Sequence, residues 1–178
     1  LNNLASALHN RIYRNKREKW MRIVTFWTKE IPSVMRNARR ELLVSLMIFI
    51  VSALVGVVSV AGDPDFVRLV LGDSYVDMTL ANIADGKPMA VYDGSPEIPM
   101  FLGITLNNVM VSFNCFAMGI LTSFGTGYML LTNGMMVGAF QTFFYQHGLL
   151  WESTLAIWLH GTLEIWAIIV AGAAGLAL

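Results

Sequence analysis

Residues Leu42–Ala61 read LLVSLMIFIVSALVGVVSVA, twenty positions without a charge. At about 1.5 Å of rise per residue, such a helix spans a hydrocarbon core about 30 Å thick. Soluble folds rarely keep an uncharged run of this length, so the first constraint on the chain is a bilayer. The whole chain agrees. Of 178 residues, 56% are hydrophobic and 13% charged, where a soluble domain is about 45–50% apolar and about 25% charged. Mean hydropathy is +0.59.

Three more apolar stretches follow. Phe101–Leu121 holds Asn107, Asn108, Ser112 and Asn114; Gly127–Tyr145 holds Thr132, Asn133 and Gln141; Leu155–Leu178 holds His160, Thr162 and Glu164. Thr122–Thr126 (TSFGT) reads as a tight turn between the second and third, and a re-entrant hairpin fits the same hydropathy. The expectation is an all-α polytopic membrane protein with about four transmembrane helices at 42–61, 101–121, 127–145 and 155–178.

Net charge is zero, from 12 Lys+Arg against 12 Asp+Glu, but the charges are segregated. Residues 1–41 carry ten Lys/Arg and three acids; residues 42–178 carry two bases and nine acids. Arg36, Arg39 and Arg40 stand just before the first span, while the 62–99 loop has seven acids against Arg68 and Lys87. The positive-inside rule counts Lys and Arg and places 1–41 in the cytoplasm and 62–99 outside. The chain thus divides into a basic region, 1–41, and a membrane domain, 42–178. It shows no initiator Met and no signal-peptide pattern, and Leu178 falls inside an apolar run, so it reads as an internal piece of a longer protein.

The basic region is patterned. Trp20, Ile23, Val24, Trp27 and Ile31 fall on one helical face, with Lys19, Arg22 and Lys29 off it. That is the signature of a helix lying in the cytoplasmic interface, with Trp20 and Trp27 as anchors, and it explains the basic charge better than nucleic-acid binding does. Pro32 suits a first helical turn, so a new helix is expected from Ser33 into the first span. In the outer loop, Asp65–Leu71 and Ser74–Ile83 have helical patterns, with Val76, Leu80 and Ile83 on one face. Gly72, Asp85-Gly86, Pro88 and Asp93-Gly94 punctuate them.

Polar residues at membrane depth carry the most information. Glu164 is the only carboxyl within the four stretches, and His160 lies one turn before it. A hydrogen-bonded or ionic pair that locks packing, a proton or ion site, a metal site and a ligand contact all fit this pair. Metal binding is disfavoured because two ligands are too few and the spacing is not H-E-x-x-H. Asn107 and Asn114 are seven apart with Asn108 beside the first, and Asn133 sits in the third span; such amides bond helices together or line a cavity. Gly134 and Gly138 form G-x-x-x-G, and Ala171 with Gly175 a small-x-x-x-small pair, both of which let backbones approach. The single cysteine, Cys115, excludes an internal disulfide framework. No G-x-S-G motif and no embedded aspartate pair supports a hydrolase, and nothing calls for a cofactor or metal.

Asn107-Asn108, Phe113, Phe116, Gly119, Gly125-Thr126, Asn133-Gly134 and Gly138, then His160-Gly161-x-x-Glu164 and the Ala171–Gly175 AGAAG stretch, together resemble the stage II sporulation protein M family. The resemblance runs from about Ile31 to the end, and the N-terminal portion looks like the version found in bacteria that do not sporulate. It implies an integral protein of the inner membrane with further spans beyond Leu178. In spore formers the namesake works with two peptidoglycan-remodelling proteins as their membrane scaffold; elsewhere relatives are often encoded beside MoxR-type ATPases. Distant kinship with exporter permeases is also suspected for the family.

The expected function is therefore non-enzymatic: a scaffold of a cell-envelope complex, built by packing Asn107, Asn114, Asn133, His160 and Glu164 inward, with Gly119, Gly134, Gly138, Gly161 and Gly175 at helix contacts. The alternative is a permease-like subunit that uses the same residues as a path. Expected partners are the bilayer, other membrane or envelope proteins, an ATPase and a second copy of the chain.

Overall fold

The computed structural model describes residues 20–88 and 97–178. Lys19 and the earlier basic residues, and the Asp93-Gly94 turn, lie outside the described residues, as does the side chain of His160. Every regular element among the described residues is helical. They fall into two units, up to Asn37 and from Ala38 onward.

In the first unit, α1 (Met21–Thr25) leads through a π-helical turn, Phe26–Glu30, into α2 (Ile31–Asn37). The wider turn makes positions after Glu30 lag the 3.6-residue period on which the face from Trp20 to Ile31 was read. Trp20, Ile23, Val24 and Trp27 are all exposed, and the unit buries no residue of its helices. Helix α2 does not run on into the first span as expected. It stops at Asn37, and Ala38 (φ −88°, ψ 17°) caps the next helix.

The second unit is built on four long helices: α3 (Arg39–Gly62), α6 (Glu97–Leu121), α7 (Ser123–Gln146) and α8 (Leu150–Leu176). Each has 24 to 27 residues, or about 36–40 Å at 1.5 Å per residue. They outrun the apolar stretches because helical bonding does not stop where hydropathy does. The TSFGT turn shrinks to Thr122, whose extended backbone (φ −162°) and side-chain oxygen, 3.1 Å from the Gly125 N–H, cap α7. At the other end of α7, Gly148 at φ +74° makes the turn into α8, a conformation that favours glycine.

Among the described residues, two helices are long and apolar enough to cross a membrane, Arg39–Gly62 and Leu102–Leu121. That is fewer than the four expected. Helix α7 has the length, but Thr126, Thr132, Asn133, Gln141, Thr142 and several glycines dilute its hydropathy. In α8 the apolar stretch among the described residues is Gly161–Leu176.

Helices α7 and α8 pack on each other, and each also packs on α3 and α6. The α3–α7 contact is the most extensive, and its backbones touch. A Cβ on Gly138 would collide with the Ala53 carbonyl, one on Gly134 would lie 2.5 Å from the Phe49 oxygen, and one on Gly56 would strike the Met135 carbonyl. Gln146 Nε2 donates to the Val60 carbonyl (3.2 Å) where these two helices end together, so they run parallel. Phe49, Cys115, Leu130, Ile168 and Ile169 form one core cluster; Val60, Val67, Val76, Ala139, Phe143 and Phe144 form the other.

That second cluster explains the loop. Helices α4 (Phe66–Leu71) and α5 (Asp73–Ala84) close over the ends of α3 and α7 by burying Val67, Val76 and Thr79. Tyr75 meets Phe140 at 6.2 Å between ring centres. Gly72 at φ +87° makes the corner between them. Arg68 bridges it, 2.8 Å from Asp77 and 3.3 Å from Asp73, and the bonds to Asp77 and then Asp73 hold its guanidinium pKa above the ordinary value.

Gly138→Ala forces a methyl onto the Ala53 backbone and is expected to destabilise the bundle by about 1–3 kcal/mol. Gly127→Ala, where nothing lies within 4 Å, should be neutral or up to about 1 kcal/mol stabilising through helix propensity. Unfolding of both variants in detergent micelles checks the difference.

Candidate functional site

Helix α6 turns Asn108, Cys115 and Gly119 toward the bundle; Cys115 and Gly119 are buried and Asn108 half-buried. Asn108 is the residue that reaches across. Its Nδ2 donates to Glu164 Oε2 of α8 at 2.6 Å and to the Ile104 carbonyl of its own helix at 3.0 Å. A carboxylate or carboxyl oxygen accepting an amide N–H at this distance makes a strong polar clamp between two apolar helices. Glu164 is half-buried and carries further interactions besides this one. The pairing with His160 expected from the sequence falls on a side chain outside the described residues.

The clamp shares its helix pair with a glycine contact. Gly119 and Gly175 are buried against each other, and a Cβ on Gly119 would strike the Gly175 backbone. The offset between partners is the same for Asn108–Glu164 and Gly119–Gly175, so α6 and α8 run parallel through both contacts. Gly161, one turn from Glu164 on the same helix, is buried as well.

The other expected polar residues do not gather there. Asn133 is half-buried and donates within its own helix to the Met129 carbonyl at 2.7 Å. Asn107 and Asn114, expected to turn inward, are both exposed. One residue of sequence is about 100° of helix, so the face that presents Asn108 to α8 carries Asn107 and Asn114 away from it. Arg36, Arg39, Arg40, Trp20 and Trp27 are exposed too.

Sequence reasoning passed over the hydroxyl groups that tie the bundle. Ser45 Oγ donates to the Ile169 carbonyl of α8 at 2.7 Å, and Thr126 Oγ1 to the Cys115 carbonyl of α6 at 2.9 Å; Ser45, Thr126 and Cys115 are buried. Their signal was present. Ser45, Ser52 and Gly56 are small residues at helical spacing inside a bulky aliphatic run. Toward the α7–α8 turn, the Ser153 and Thr154 hydroxyls donate to the Leu150 carbonyl at 3.0 and 2.6 Å and lie 3.4 Å from Gln141 Oε1, beside an open groove lined by Val57, Ala61, Gln141, Thr142 and Tyr145. Among the described residues, no three His, Cys, Asp or Glu side chains converge.

An all-helical bundle locked by glycines, hydroxyls and one amide–carboxyl clamp, with two helices long and apolar enough to cross a membrane among the described residues, is the fold class here. A family model described as Stage II sporulation protein M matches residues 45–178, and the chain belongs to that family. No curated protein and no solved structure matches it. The match starts within α3, so the basic region that the resemblance included from Ile31 lies outside it.

The clamp is testable by a double-mutant cycle. Asn108→Ala and Glu164→Ala should each destabilise the bundle, with a coupling of about 0.6–2 kcal/mol. Glu164→Gln, which keeps an acceptor oxygen, should retain most of that coupling in unfolding measurements.

Proposed function

We infer that this protein is a multi-pass inner-membrane scaffold of a cell-envelope complex, with no enzymatic activity of its own. All four long helices cross the bilayer in this reading, with α4 and α5 on the outer face and the basic region at the cytoplasmic interface. The alternating directions of α3, α6, α7 and α8 suit four crossings, and Lys/Arg crowding before α3 suits a cytoplasmic start. The polar contacts and the close glycine contacts at depth then serve cohesion. One observation carries the reading: Ser45, Asn108 and Thr126 each bond to a neighbouring helix rather than line a passage.

The family takes its name from sporulation, and the resemblance implies partners that remodel peptidoglycan. An envelope-remodelling enzyme, with an ATPase on the cytoplasmic side, is the partner class proposed for this chain. The permease-like alternative draws on the same Glu164, and one variant separates the two. Glu164→Gln should leave the protein folded, leave its cross-links to envelope enzymes in native membranes unchanged, and produce no change in proton or solute flux across reconstituted vesicles. Flux that depends on Glu164 in a folded protein would overturn the scaffold. For orientation, Met78→Cys on exposed α5 should react with an impermeant maleimide from outside the cell; labelling only from the cytoplasmic side reverses the topology.

A further inference from the structure

Helix α6 has a second face, opposite the one that grips α8. Gly103, Asn107, Met110, Asn114, Ala117 and Leu121 recur at spacings of four and three, the a/d seam of a heptad repeat. Gly103, Asn107, Met110, Asn114 and Leu121 are exposed and Ala117 half-buried. On a helix wheel this seam lies across from Asn108, Cys115 and Gly119. Neither Asn107 nor Asn114 has a side-chain hydrogen bond among the described residues, although both sit in one of the two helices apolar enough to cross a membrane. Lipid offers such amides no partner, so an outward-facing pair of them calls for another helix.

We propose that this seam pairs with the same seam of a second copy of the chain, forming a two-fold dimer through α6. The proposal rests on the membrane-spanning reading of that helix. Copies inserted in one bilayer share an orientation, so a two-fold axis along the membrane normal sets the two α6 helices parallel and in register. Asn107 then meets Asn107 and Asn114 meets Asn114 at matching depths, about 10 Å apart along the helix. A carboxamide carries both donor and acceptor, so each satisfies its own counterpart. A different protein would need complementary polar groups at both depths, whereas a second copy has them by symmetry. Gly103 and Ala117 leave room for the backbones to approach. The 3.5-residue spacing is the one that keeps a seam in contact as two helices supercoil.

The test uses the full chain in lipid vesicles, with mild oxidation and single-vesicle subunit counting. Met110→Cys, on the seam, should form a disulfide-linked dimer, and Val109→Cys, exposed but off the seam, should not. Native Cys115 is buried and contributes no background. The Asn107→Leu, Asn114→Leu double variant should keep the thermal stability of the monomer bundle and lose the Met110 cross-link. Each amide pair removed should weaken association by about three- to fifteen-fold. A protein that stays monomeric at every protein-to-lipid ratio overturns the seam. So does unchanged association of the double variant, or a Met110→Cys cross-link to a protein of another size. Extraction of the wild-type chain from vesicles by alkaline carbonate would overturn the spanning reading along with the seam, while insertion as a monomer overturns the seam alone.

Discussion

The close approach of α3 and α7 is the constraint on which the rest of the bundle depends. In lipid, apolar side chains gain little by leaving one hydrocarbon surface for another, so helix association relies on dispersion contacts and buried hydrogen bonds. Both improve steeply as backbones come together. Gly56, Gly134 and Gly138 remove side chains where the Met135, Phe49 and Ala53 carbonyls pass. With the axes that near, Gln146 can reach the Val60 carbonyl and Phe143 and Phe144 can pack beside Val60. The platform so formed is what α4 and α5 cover. Repeating the device at Gly119 and Gly175 draws α6 and α8 together and sets Asn108 within reach of Glu164.

Much of this was legible in the sequence. The two short helices after α3 were placed within a residue or two, because Val76 and Leu80 have a period that only a helix satisfies. The glycines of α7 were named, because G-x-x-x-G has a steric meaning before any partner is known. What could not be read was the partner. Gly138 meets Ala53 of α3, a helix far away in sequence, and no local signal sets which of three neighbours fills the gap. The break at Ala38 and the π-helical turn before it were also missed. Hydrophobic period describes a regular helix and is silent about an inserted residue. The glycines and hydroxyls of α7 lower its hydropathy, so by length and apolarity two of the described helices, rather than four, stand out as spans.

Adjacent asparagines show the same division at the finest scale. Asn107 and Asn108 are chemically identical and contiguous, so composition and spacing treat them as one feature. A helix separates them by about 100°, and the bundle then gives them different environments. Asn108 is held between a backbone carbonyl and a carboxyl; Asn107 faces outward with Asn114 one heptad on.

That separation ties the two faces of α6 energetically. The inner face fixes the helix rotation through a polar clamp at one level and a glycine contact about three turns further on, and two anchors at different depths define an azimuth where one would leave it free. The rotation so fixed is what points the outer amides away from the bundle together. Weakening the inner face would let α6 turn and hide those amides against its neighbours, lowering the need for any outer partner. Internal packing and the outward presentation of these amides are therefore coupled through a single rotational coordinate, and the coupling follows from the geometry of one helix rather than from any residue that touches both sides.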